Sequence, residues 1–186
     1  MTHVNRITDT SRIREEAVSE KDVEQFIMEK FEKVKKANKI RNLIDFQATN
    51  KYMIMVHSQE ELKILGRIVA SYKKISLNEI FKEYEIHLKT ALENIPSVKT
   101  HANVIMHIYG YFSKNLNQHE KNNFIDILGK FRKGKNTIGV TLNEISNMVF
   151  RFNNTYLANQ TYFLLYSNSQ SDLLFKVLNN LENQIK

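Results

Sequence analysis

Histidine titrates near neutral pH, so His57, His101 and His107, each lying in a strongly apolar segment, are the residues of this sequence best suited to move a proton. The same side chains would also suit a metal, but their spacing argues against one. His101 and His107 are six positions apart, about 240° around a helix, and so diverge. No histidine follows an acid at three positions, and no H-E-x-x-H occurs, which removes the helical di-metal and zinc-protease signatures. The chain has no cysteine, so a thiol nucleophile, a Cys-type zinc site and a self-held iron–sulfur cluster are excluded. The expectation is a site with no metal and no cofactor, in which His57, His101 and His107 are the acid–base candidates.

A second chemistry is written in the cations. Lys plus Arg number 27 and Asp plus Glu 20, a net charge of +7, which suits an acidic partner such as nucleic acid. The charge is uneven. Lys30, Lys33, Lys35, Lys36, Lys39 and Arg41 face two acids, Glu29 and Glu32, while Lys130, Arg132, Lys133 and Lys135 have no acid among them. Tyr111, Tyr156 and Tyr162 are aromatic faces on which an unpaired base would stack. The run from Gly129 to Lys135 has the spacing of a phosphate-binding loop, yet Asn136 stands where the magnesium-binding hydroxyl belongs. A helix end, with Gly134 as its left-handed cap, explains that run better.

These residues need elements to hold them. Ser58 with Glu61, Ser76 with Glu79, Asn117 with Glu120 and Thr141 with Glu144 are helix starts, since a capping oxygen and an acid three residues on satisfy two backbone donors together. Ser19 with Asp22 is a weaker fifth. Apolar stripes of helical period predict helices from Ser19 to near Asn38, over Leu43 to His57, from about Leu62 to Val69, and from Ile80 to a stop at Pro96. Further helices are predicted at about 100–115, 118–133, 142–152 and 171–184, while 156–167 shows no clear period. The fold expected is all-α, a single bundle of about eight helices over 19–186, with 1–18 as a loose arm. Mean hydropathy is −0.43 and neither a membrane span nor a signal-like apolar run is evident, so a cytoplasmic protein is expected.

The segment from Thr100 to Leu116 is the most informative. Val104, Ile105, Ile108, Tyr109 and Phe112 cover one arc, and Asn103, His107 and Gly110 the other, with Tyr111 at the margin. A mid-helix Gly110 costs roughly 1 kcal/mol against alanine, so a close approach by a neighbouring helix or a ligand is expected there. Lys51, which opens the apolar run Tyr52 to Val56, either snorkels to water or holds an anion.

The blocks Asp45 to Ser58, Leu65-Gly66-Arg67, His101-Ala-Asn103-Val-Ile-Met-His107-Ile-Tyr-Gly110-Tyr111-Phe112, Val140-Thr-Leu142 and Tyr156-Leu-Ala-Asn-Gln160-Thr-Tyr162 resemble, in order and spacing, the YbgA-like family. The resemblance covers about residues 43–166. It implies a bacterial and archaeal domain of unknown function, found alone or fused behind a cysteine-bearing iron–sulfur domain that desulfurates thiouracil or thiouridine. This cysteine-free chain lacks the residues for that chemistry. The family pattern has His where this chain has Gln47. What the resemblance implies is an accessory role in engaging tRNA, with Lys51, His57, His101, Asn103, His107, Tyr111, Arg132 and Gln160 as the matching positions of interest.

Three functions follow as expectations. The first is a non-catalytic RNA-binding module, on tRNA or another RNA, whose phosphates meet Lys30, Lys33, Lys35, Lys36, Arg41, Arg132, Lys133 and Lys135. Lys51, Asn103, Tyr111 and Gln160 would form its polar site. The second is an enzyme using His57, His101 or His107 in a polar cleft. The third is an interaction domain that docks a separate cysteine-bearing, desulfidase-type protein.

Overall fold

In the computed structural model, residues 19–167 are described; the expected arm over 1–18 and the helix expected at 171–184 lie outside them. The described residues form an all-α bundle of ten helices, eight of them seven residues or longer. α1 is Glu20–Ala37, α2 Ile40–Thr49, α3 Lys51–His57, α4 Gln59–Ala70 and α5 Leu77–Leu92. α6 is Val98–Tyr109, α7 Gln118–Arg132 and α8 Ile138–Arg151, followed by the short α9 Thr155–Ala158 and α10 Thr161–Tyr166.

The caps explain most of the boundaries. Ser19, Ser58, Ser76 and Asn117 each accept a hydrogen bond from the backbone N–H three residues on, and at Ser76 and Asn117 the acid reaches back to complete the box. α1 ends at Asn38 in the left-handed conformation (φ 48°), and Gly134 (φ 67°) closes the turn after α7, as a helix end with a glycine cap requires. The expected start at Thr141 is corrected. α8 begins a turn earlier under Thr137, whose hydroxyl accepts from the Val140 N–H, and Thr141 lies buried inside the helix. Ser97 and Thr100 form a box at α6 with a threonine where an acid was sought.

The helix expected from Leu43 to His57 is broken at Asn50. The Asn50 side-chain amide donates to the Phe46 carbonyl at 2.8 Å, competing for a group the helix would use, and the backbone there turns to φ −104°, ψ 9°. The N–H of Tyr52 is received by the Gln160 side chain at 3.4 Å, so the kink is closed by a residue 108 positions away. The break leaves α3 free to run through the middle of the bundle, where every residue from Tyr52 to His57 is buried. α3 packs against α2, α4, α5, α6 and α10, and each fully buried aliphatic or aromatic side chain there stabilises by about 1.5–3 kcal/mol.

Around α3 the core is aromatic. Phe31 of α1 stacks on Tyr84 of α5 at 5.5 Å and tilts against Phe46 of α2 at 5.7 Å, locking α1, α2 and α5 together. On the other flank Tyr109 of α6 stacks on Phe124 of α7 at 4.1 Å. The α6 helix stops at Tyr109, earlier than expected, so Gly110 is its exposed C-cap. A Cβ there would meet only carbonyls of its own chain, that of His107 at 3.2 Å being nearest. Among the described residues no helix crosses at Gly110, and the expected close approach is not found there.

Candidate functional site

The buried α3 carries polar chemistry at both of its ends. Because α3 is embedded on all sides, whatever gathers at its termini comes from α1, α5, α6, α9 and α10.

At the N-terminal end, Tyr52 meets Tyr111, which follows α6, and Tyr156 of α9. The rings of Tyr111 and Tyr156 stack at 6.1 Å with 26° between planes, and they are 45% and 37% exposed. Burial, then a hydrogen bond from the Tyr52 hydroxyl to the Tyr111 side chain, pushes the Tyr52 hydroxyl far above the ordinary phenol range. Lys51 places its ammonium 5.4 Å from the Tyr52 ring centre, a cation–π contact, and has no acidic partner among the described residues. Gln160 holds this end together from beneath. It is buried, its oxygen receives the Tyr52 N–H, and its amide donates to the Ala48 carbonyl at 2.8 Å. Both ends of its amide are thus spent on the backbone, which makes it a brace of the patch. Asn103 is elsewhere, exposed and bonded to Gln59 at 3.3 Å.

The C-terminal end holds a different cluster. His57 Nδ1 bonds the Asn94 carbonyl at 2.7 Å, and its Nε2 lies 3.7 Å from a carboxylate oxygen of Glu20 with no hydrogen-bond partner among the described residues. The Tyr166 hydroxyl donates to Glu20 at 2.9 Å. His101 Nδ1 and the Tyr162 hydroxyl are 2.9 Å apart, and the His101 ring meets Tyr166 edge-on at 4.8 Å. Burial lowers the pKa of both histidines, His101 to about 4, with the nearby His57 a lesser cause. His107 is exposed on the other side of α6, as its spacing from His101 requires. Tyr162 is fully buried, so the expected stacking of a base on it is corrected: its ring serves the core. Among the described residues, no three His, Asp or Glu side chains are grouped to hold a metal.

The basic residues divide as well. Lys30 turns inward to the Thr161 hydroxyl at 3.4 Å, and burial followed by the charge of Lys33 lowers its pKa. Lys35 is bound to Glu85 at 2.5 Å, and Arg41 pairs with Asp45 at 3.3 Å. Lys33, Lys36, Arg132, Lys133 and Lys135 are exposed and carry no ion pair among the described residues. The first two sit on α1, packed against α2, and the last three at the end of α7, packed against α6 and α8.

The family described as protein of unknown function, DUF1722, matches residues 51–167. The chain belongs to that family. The match begins at Lys51 and takes in the whole tyrosine patch, both core histidines of the other cluster and the α7 cations, while Glu20 and the α1 lysines precede it. The chain is also similar to the uncharacterised protein YbgA of Escherichia coli strain K12, at 26% identity over 125 residues, 67% of this chain and 74% of that protein. No solved structure matches. Among the described residues, no helix is long and apolar enough to cross a membrane.

Sequence reasoning had no means to find Glu20, which reads only as an acid in a helix's first turn, or Asn94, which acts through its carbonyl. Tyr52 was masked by its place in an apolar run. The signal that would have found it is the lysine before it, which has no acid near it in sequence.

Proposed function

We propose that the chain is a non-catalytic RNA-binding module of the cytoplasm, engaging tRNA or another RNA with unpaired bases. We propose further that it serves nucleic-acid modification or thionucleoside metabolism alongside a separate cysteine-bearing, desulfidase-type protein. The observation that carries the reading is the exposed, mutually stacked pair Tyr111 and Tyr156, joined through Tyr52 to the ammonium of Lys51, which has no ion-pair partner among the described residues. Exposed aromatic faces are otherwise a cost in water, and each base stacked on one contributes about 1–3 kcal/mol whatever its identity. A lysine at the edge of such faces meets the phosphate that joins successive bases. The unpaired cations at Lys33, Lys36, Arg132, Lys133 and Lys135 add long-range attraction for an anionic strand.

The reading as an enzyme draws less from the geometry. His57 and His101 do converge, but the His57 side chain is only 1% exposed and the Nδ1 of His101 is engaged by the Tyr162 hydroxyl. His107 is exposed, apart from both.

The test is fluorescence anisotropy of the full chain with bulk tRNA, an unstructured RNA and duplex DNA across a salt series. The expected result is micromolar or tighter binding to the RNAs at near-physiological salt, stronger than to the duplex. The logarithm of affinity should fall with that of salt at roughly 0.7 per phosphate engaged on single strands. Equal, weak, salt-erased binding to all three would reject the proposal.

A further inference from the structure

Charge in the α1–α5 half of the molecule is sorted end to end, along a direction that the helix contacts define. His57 at the end of α3 bonds the Asn94 carbonyl after α5 and lies 3.7 Å from Glu20 at the start of α1, while His87 of α5 reaches Glu61 at the start of α4 at 2.7 Å. The starts of α1 and α4 and the end of α5 therefore share one end of the bundle, and the start of α6 joins them through the bond from Asn103 to Gln59. α1 has 18 residues and α5 has 16, roughly 27 and 24 Å of helix, so the end of α1, the start of α2, the end of α4 and the start of α5 meet at the other end. A cavity of about 440 Å³ lies between them there, lined by Lys35 and Asn38 from α1 and its cap and by Asn78, Phe81, Lys82 and Glu85 of α5.

The first end carries Glu20, Asp22, Glu24, Glu60, Glu61 and Glu93 against Lys21, Lys63 and Lys99. The second end has the opposite sign. Lys36 and Lys39 flank the α1–α2 turn, Arg67 lies in the last turn of α4, Lys73 and Lys74 in the turn that follows, and Lys82 in the second turn of α5. All six are exposed and carry no ion pair among the described residues. The acids nearby are occupied: Glu85 by Lys35 and Lys89, Glu32 by Lys35, Asp45 by Arg41 and Glu79 by the Ser76 cap, which leaves Glu83. Arg67, Lys73, Lys74 and Lys82 belong to neither basic cluster visible in the sequence. The packing of α5 antiparallel to α4 brings them beside the end of α1.

Resting on the RNA-binding reading above, we propose that this end grips the sugar–phosphate backbone of a base-paired stem of the RNA, with the stem's phosphates seated at the α1–α2 and α4–α5 turns while the tyrosine patch takes unpaired bases. Lysines from separate turns act as point charges without a fork to match a base edge, so they meet phosphates whatever the sequence. A stem turns its bases inward and presents phosphates at high density, which suits a surface rich in cations and poor in open aromatic faces. The cavity lets a phosphate approach Lys82 with the Asn38 and Asn78 amides as further donors, and its carboxylate, Glu85, is already held by two lysines. An anionic lipid surface would instead require an apolar stripe to bury. The exposed apolar side chains of the α4–α5 turn are Tyr72 and Ile75, and the Lys73 ammonium lies over the Tyr72 ring at 5.7 Å.

The test is fluorescence anisotropy across a salt series with two labelled RNAs, a base-paired hairpin closed by a short loop and an unstructured strand. Three proteins are compared: the full chain, a K73Q, K74Q, K82Q variant, and a K21Q, K63Q, K99Q control that removes the same charge from the opposite end. All six positions are exposed, so Tm should be unchanged in both variants. The expected result is that the first variant loses tenfold or more of its hairpin affinity at near-physiological salt and that its salt slope flattens by about two, the share of three phosphates, while the control changes by under about threefold. Equal losses in the two variants would reduce the effect to net charge and overturn the surface. Hairpin binding that survives in the first variant would overturn it too, as would lysine-dependent binding to phosphatidylserine–phosphatidylcholine vesicles with none to the hairpin. A full chain that binds the strand but not the hairpin overturns the surface and leaves the stacking reading standing. A hairpin loss confined to the first variant supports the surface even where Tyr111→Ala, Tyr156→Ala leaves strand binding intact, an outcome that rejects the stacking patch alone.

Discussion

The two ends of α3 are built from similar parts and behave as opposites. At Lys51 a basic group and the buried Tyr52 meet two surface tyrosines, Tyr111 and Tyr156, stacked on each other in view of solvent. At His57 a second basic residue and two tyrosines meet under cover, and, His57 Nε2 apart, their polar atoms are matched to a carbonyl, a carboxylate and each other. The α6 helix serves both ends, with His101 in its first turn and Tyr111 just past its last. The difference is one of desolvation: the open end leaves aromatic faces and a charge unspent, which is the condition for binding, whereas the closed end spends its groups internally, which is the condition for holding elements together. Substitutions at the two ends should therefore separate stability from binding.

The largest separation is expected at Tyr162. Truncating this fully buried ring, Tyr162→Ala, should destabilise by about 3–5 kcal/mol in denaturant titration, as large aromatic deletions do, without changing the RNA affinity of the molecules that remain folded. Acid comes next. His101, lowered to about 4 from 6.5, remains neutral in the folded state while it charges in the unfolded one; its contribution to stability is complete above pH 6.5 and is lost as pH falls towards 4. The loss is on the order of 3 kcal/mol, with His57 adding in the same direction, and a series of urea midpoints from pH 7.5 to 4 measures it. Gln160→Ala sharpens the comparison because it lies under the open end yet acts structurally. Leaving the Tyr52 N–H and the Ala48 carbonyl unpaired should cost about 1–3 kcal/mol. Its effect on binding should be indirect, through a loosened patch.

Tyr111→Ala is the mirror image of Tyr162→Ala. It should weaken RNA binding by about 1–3 kcal/mol and shift stability by under about 0.5 kcal/mol, the range for a solvent-exposed position. The smallest effect is expected at Lys51→Met, where the salt slope of binding to single strands should drop by roughly 0.7, the share of one phosphate. A Tyr111→Ala protein that unfolds, or a Tyr162→Ala protein that keeps its stability and loses RNA, would erase the distinction between the two ends.

The all-α character was legible in the chain because capping is local. Ser58, Ser76 and Asn117 announce their helices within four residues. Thr141 with Glu144 has the same pattern and starts nothing, since Thr137 caps the helix a turn earlier and burial takes Thr141 inside. The break at Asn50 was not legible, because it depends on a local side-chain competition and on Gln160, distant in sequence, accepting the N–H that the break leaves over. Composition marked the basic residues but could not tell which are spent. Lys35 and Arg41 have acidic partners, and Lys30 faces inward, so the first cluster reduces to Lys33, Lys36 and Lys39. Likewise His57 and His101 could be named from sequence, but their meeting depends on α3 and α6 packing side by side, a contact no local pattern records.

The most direct test of the central claim, that the open end of α3 is an RNA-stacking surface, is the affinity of a Tyr111→Ala, Tyr156→Ala double variant for a fluorescent unstructured RNA, measured beside its urea midpoint. The account predicts affinity lower by tenfold or more at an unchanged salt slope, with the midpoint within the error of the wild type. Undiminished affinity in a folded double variant would contradict it.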